Sequence, residues 1–102
     1  MKPRAVYRDQ ARILKALAND SRLLILDRLS EGECSAGDLT TLVGTDQSTV
    51  SKHLFVLRSH GLVDDRREGT VVYYRLLAPC VLNFFGCATE VLKRRHANEA
   101  AR

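Results

Sequence analysis

The sequence predicts a mainly helical domain that carries one small β-hairpin. Three observations lead there. Apolar residues recur at helical spacing through most of the chain. Between Leu62 and Leu76 the period switches from about 3.6 to 2. Residues suited to helix caps and stops, among them Asn19, Ser35, Gly44 and Gly61, fall between the periodic runs. The 102 residues are read as one domain, 1–102. So short a chain has much surface for its core, and a second copy would bury more of it.

Five helical segments follow in order. The first, residues 6–18, carries Val6, Ile13, Leu14 and Leu17 on one face. Asn19, Asp20 and Ser21 offer N-cap chemistry for a second helix over residues 22–29, which is apolar nearly all round and so expected to be buried. Ser35 followed by Asp38 has the shape of a capping box for a third helix, residues 36–43, that Gly44 stops. Thr45 or Asp46 caps a fourth helix that runs to about His60. Two short strands with Glu68-Gly69 at the turn come next. The last helix opens at Pro79, which has no N–H to leave unpaired, and extends over about 79–95. Two helices joined by a Gly-containing turn, then a hairpin, make a winged helix-turn-helix of about five helices and a two-stranded wing.

The formal charge of +4, from 16 Lys+Arg against 12 Asp+Glu, is compatible with a polyanionic partner without requiring one. Placement of the polar side chains favours duplex DNA. On the fourth helix Val50, Leu54 and Leu57 share an inward stripe. Gln47, Ser48, Thr49, Ser51 and Lys52 are left at the exposed N-terminal half, where such groups reach base edges and phosphates. His53 lies near the packed side and ranks below them. Arg66 and Arg67 beside the hairpin tip suit a minor groove or phosphates, although Asp64 and Asp65 partly offset them. The plainer reading is a solvated polar helix face and a purely structural wing.

Other classes find little support. No apolar run approaches the ~20 residues that cross a bilayer, and no apolar segment follows the basic start as in a signal peptide. Three cysteines are too few and too unevenly spaced for a disulfide framework, which points to a reducing cytoplasm. No nucleophile–base set or phosphate-cradling loop indicates an enzyme.

The chain resembles the ArsR/SmtB family of small dimeric repressors. The resemblance rests on KALANDSRLLIL (Lys15 to Leu26), GDLTTLVG (Gly37 to Gly44), QSTVSKHL (Gln47 to Leu54), LRSHGLV (Leu57 to Val63) and GTVVYYRL (Gly69 to Leu76), in family order. It implies a homodimer through the first and last helices, bound to a two-fold symmetric operator by two copies of the fourth helix. It also implies release when an inducer binds, and no cofactor for DNA binding itself. Phe55 departs from the polar or basic residue often found at its position.

The family's metal motifs are mostly absent. Where one of them has cysteines, this chain has Ser35 and Gly37, with Cys34 one residue early. Where a zinc motif opens with Asp-x-His, the chain has Ala78 and Cys80, and the later partners align with Val91 and Arg94. His96 and Glu99 retain only a spacing in the tail. Cys80 and Cys87 remain, seven residues apart on one stripe with Phe84 and Val91. Their Cα atoms would lie about 10 Å apart along an intact helix. That is too far for one ion with bonds of about 2.3 Å or for a disulfide, which needs about 7 Å or less. An antiparallel pairing of last helices would set Cys80 against Cys87 of the partner subunit. Cys34 could join as a third ligand but reads first as a packed or surface thiol. The leading expectation is a repressor induced by As(III) or Sb(III), with cadmium, lead or zinc behind. The alternatives are a thiol redox or persulfide switch on the same fold, a plain interface stripe in which cysteine packs as a small hydrophobe, and a protein-binding winged helix that never touches DNA.

Overall fold

A computed structural model describes residues 1–100. The elements run α1 (Arg4–Leu17), α2 (Asp20–Leu29), β1 (Cys34–Ser35), α3 (Ala36–Val43), α4 (Gln47–Ser59), β2 (Val63–Glu68), β3 (Val71–Leu76), one 3-10 turn (Pro79–Val81) and α5 (Leu82–Ala100). The winged helix-turn-helix is therefore present, with α3 and α4 as the turn-joined pair and β2–β3 as the wing.

Local chemistry sets the boundaries. The Asn19 side chain accepts the Arg22 N–H at 3.1 Å and starts α2. Ser35 accepts the Asp38 N–H at 3.1 Å and starts α3. Gly44 ends α3 at φ 78°, a left-handed conformation that side chains with a Cβ resist. Ser35→Ala is expected to lower the unfolding free energy by about 1 kcal/mol, read as a lower melting temperature with unchanged helix content.

The core joins Ile25 and Leu26 of α2, Leu39 of α3, and Val50, Leu54 and Leu57 of α4 with Leu62, Val63 and Val81. β2 and β3 pair antiparallel from Val63↔Leu76 out to Glu68↔Val71 around a turn at Gly69 and Thr70. The hairpin base is closed where the Leu77 N–H donates to the Leu62 carbonyl at 3.0 Å.

Three expectations need correction. The wing has a third strand, β1, on the far side of β3 (order β1-β3-β2), where Cys34 faces Tyr74 and Ser35 faces Tyr73. The last helix does not run over 79–95. Pro79–Val81 form a separate 3-10 turn with Pro at its start, and α5 then extends from Leu82 to Ala100. Helix formers and the Glu90–Arg94 and Arg95–Glu99 pairs at i,i+4 carry it past residue 95. Finally, Asp46 stands at the N-cap of α4, but its side chain bonds no helical N–H.

α1 and α5 are poorly covered. α1 buries only Ala16 and Leu17, and α5 buries nothing. The radius of gyration of 16.0 Å exceeds the ~13 Å of a compact chain this long. Leu14, Phe84, Val91 and Leu92 are all exposed on these two helices.

Candidate nucleic-acid interface

α4 is held by one face and presents the other to solvent. Val50, Leu54 and Leu57 are buried, while Gln47, Ser48, Ser51 and Lys52 are exposed. Thr49 and His53 are half-buried at the flanks. The exposed group sits where α4 begins, so unpaired backbone N–H groups and one lysine ammonium share this end of the helix.

Two contacts refine this face. The Asp46 carboxylate accepts hydrogen bonds from the hydroxyls of Ser48 and Thr45. Hydroxyl donors, Ser48 first and then Thr49 and Thr45, hold the Asp46 carboxyl well below the usual carboxylate range. With its hydrogen committed to Asp46, the Ser48 oxygen can only accept, which suits an amino group on a base edge better than a phosphate. On the other flank, Arg22 Nε donates to His53 Nδ1 at 3.1 Å, and the same guanidinium reaches the Ala16 carbonyl at 3.4 Å. A neutral ring that accepts at Nδ1 carries its proton on Nε2. His53 therefore ties α4 to α2 as well as bordering the polar face. Its partner lies 31 positions away in sequence, so local periodicity gives no sign of it.

The wing divides its arginines. Arg66 is engaged on three sides: by Glu33 through Nη2 at 2.9 Å and Nε at 3.0 Å, by Glu68 at 2.8 Å, and by the Tyr73 ring at 4.6 Å from its centroid. Hydrogen bonds from Arg66 pull the Glu33 carboxyl down, and hydrogen bonds to Glu33 and then Glu68 push the Arg66 guanidinium up. Arg66 is thus a strut that fixes the wing against the chain before β1. Arg58 pairs with Asp65 at 3.1 Å, and Arg75 with Asp64 at 3.2 Å. Among the described residues Arg67 has no ion-pair partner and is exposed. Of the two arginines named from sequence, Arg67 has the freer charge.

The three thiols are not gathered. All are free; Cys34 is buried, and Cys80 and Cys87 are exposed. Cys34 lies in β1 among core residues, and burial pushes its thiol pKa up. Cys80 sits in the 3-10 turn before α5 and not within the α-helix. That turn rises about 2.0 Å per residue against about 1.5 Å in an α-helix, which lengthens the path to Cys87. Among the described residues no group of three or more His, Cys, Asp or Glu side chains could hold a metal ion. Within one subunit the described residues thus offer no three-ligand set for a thiolate-bound ion.

The fold and the exposed face of α4 define a winged helix-turn-helix protein. Residues 19–65 match the family described as bacterial regulatory protein, arsR family. The HTH-type transcriptional regulator Rv0324 of Mycobacterium tuberculosis is 41% identical over 99 residues, which cover 96% of this chain and 43% of that protein. The chain thus spans less than half the length of that relative. The crystal structure of NolR from Sinorhizobium fredii superposes with a TM-score of 0.79 at 36% identity, covering 89% of this chain and 96% of that one. The solution structure of the homodimeric winged helix-turn-helix DNA-binding domain of Mb0332 from Mycobacterium bovis, its fragment 1–100, gives 0.75 at 39% identity over 92% of this chain and 87% of that fragment. The chain belongs to the ArsR family of transcriptional regulators. Relatives of both regulatory senses occur. The biofilm growth-associated repressor of Agrobacterium fabrum is 44% identical over 64 residues (63% of this chain, 55% of that one). The transcriptional activator HlyU of Vibrio cholerae is 45% identical over 64 residues (63% and 59%). Among the described residues no helix is long and apolar enough to cross a membrane.

Proposed function

We propose that the chain is a homodimeric, DNA-binding transcriptional repressor whose release from a two-fold symmetric operator is triggered at cysteine thiols. The observation that carries the reading is the two-faced α4: core-packed through Val50, Leu54 and Leu57, with Gln47, Ser48, Ser51 and Lys52 presented together. Arg67 at the wing adds a phosphate contact beside them. The exposed apolar residues of α1 and α5 support a dimer through those helices, as does the homodimeric state of Mb0332. Repression is the sense favoured by the family resemblance and by the biofilm growth-associated relative.

The two wing arginines separate in their expected effects. Arg67→Ala lowers the salt dependence of duplex binding by about one counterion per subunit. Arg66→Ala leaves that slope unchanged and instead loosens the wing, visible as faster amide exchange along β2 and β3. Equal slopes for both variants would contradict this division.

The proposed inducer is As(III) or Sb(III), with cadmium, lead or zinc next. Because one subunit does not gather its thiols, the ion would be held across the two-fold axis by Cys80 and Cys87 of the partner subunit, with Cys34 outside the set unless β1 opens. Binding there would shift the balance between two dimer geometries and alter the spacing of the two α4 helices. Arsenite titrated against the duplex complex is expected to release the protein, and Cys80→Ser or Cys87→Ser to abolish the response. Unchanged affinity in the wild type, or release that survives both substitutions, excludes the metalloid.

The exposure of Cys80 and Cys87 favours a second reading in which oxidation or persulfidation of the same thiols is the signal. Mass spectrometry without reductant after peroxide or polysulfide treatment would show modified cysteines in that case. An untouched set would eliminate it.

A further inference from the structure

Phe55 is 66% exposed on α4, between Leu54 at 1% and Leu57 at 0%. It is absent from the core cluster and from the partly buried residues packed on it. At about 100° per residue, Ser48, Lys52, Phe55 and Ser59 form one narrow stripe directly opposite Val50, Leu54 and Leu57. Phe55 therefore continues the row of polar side chains proposed to face DNA, about one turn beyond Lys52. It is not on α1 or α5, whose exposed apolar residues suit a dimer contact.

Chemistry narrows what such a ring can recognise. A phenyl group neither donates nor accepts the hydrogen bonds that identify most base edges. The major-groove floor carries one apolar feature, the 5-methyl group of thymine. The polar residues of the stripe would fix the register of α4 in the groove, and Phe55 would then lie over the groove floor about 10 Å along the helix from Ser48.

We infer that Phe55 is a specificity-determining residue that reads a thymine methyl group in each operator half-site. This rests on the DNA-binding reading proposed above and adds to it a base identity and the residue that selects it.

The test uses short duplexes enriched from a random-sequence library by the full chain. In the enriched duplex, thymines are replaced by deoxyuridine, one symmetry-related pair at a time, which removes the methyl group and keeps the hydrogen-bonding edge. At one pair the wild type is expected to lose roughly tenfold in affinity across the two half-sites. Phe55→Ala binds the thymine and deoxyuridine duplexes equally at that pair, and Phe55→Leu retains part of the preference. Because Phe55 is exposed, Phe55→Ala keeps the wild-type melting temperature, and that measurement excludes misfolding as the cause. Wild-type indifference to deoxyuridine at every pair, or a preference that survives in Phe55→Ala, overturns the inference while leaving DNA binding intact. A wild type without salt-sensitive duplex binding removes the DNA-binding reading itself, and this inference with it.

Discussion

Leu57→Ala is expected to lower the unfolding free energy by about 2–5 kcal/mol. Leu57 is 0% exposed and lies where α4 packs within the cluster that includes Leu26, Leu39 and Val63. Truncation removes its burial and leaves a void that the short helices around it cannot fully close. Domains of this size are stable by about 5–15 kcal/mol in total, so the loss is a large fraction of what holds the fold. The urea midpoint should fall with little change in slope. Lys52→Ala, on the solvent side of the same helix, should stay within about 0.5 kcal/mol of wild type. A Leu57→Ala loss below about 1 kcal/mol would mean that α4 is not anchored by this face.

Phe84→Asp is expected to produce a folded monomer. Phe84 is 49% exposed and lines a groove of about 430 Å³ with Gln10, Ile13 and Leu14, between α1 and α5. Phe84 is about half exposed and lies outside the buried core, so its substitution gives up little of the packing within one subunit. A carboxylate there would be desolvated on association, with no cation among the residues lining the groove. Two-site attachment to an operator strengthens binding by about 10²–10⁴ over a single site, so duplex affinity should fall by about a hundredfold or more. Sedimentation equilibrium and circular dichroism read the two parts separately. A dimer that persists in Phe84→Asp would place the subunit contact on another surface.

Much of this fold is legible in the sequence because its boundaries are local. Ser35 and Gly44 bracket α3 at residues 36–43 through a side-chain cap and a left-handed glycine, features that need no tertiary information. The hairpin turn at Gly69 is legible for the same reason. β1 is not, since two residues cannot display an alternation, and only the unpaired edge of β3 makes Cys34 and Ser35 a strand. Pro79 marks a helical start correctly, but it begins a separate 3-10 turn, which removes Cys80 from the α-helix.

The candidate site follows the same division. The exposed set on α4 comes from rotation about one helix and holds for Gln47, Ser48, Ser51 and Lys52. The contacts that qualify its neighbours are long-range: Arg22 to His53 across 31 positions, and Arg66 to Glu33 across 33. Neither pair has a fixed spacing for periodicity to detect. Whether three cysteines meet is likewise decided by tertiary placement, which buries Cys34 in the core and exposes the other two.

Duplex affinity measured across a range of salt concentrations, for the wild type and Lys52→Glu, bears most directly on whether the polar face of α4 grips DNA. The wild type should show log affinity falling linearly and steeply with log salt, as expected when several phosphates are neutralised, and Lys52→Glu should bind far more weakly with a shallower slope. A flat wild-type line, or a charge reversal at Lys52 without consequence, would mean that this surface serves some other partner.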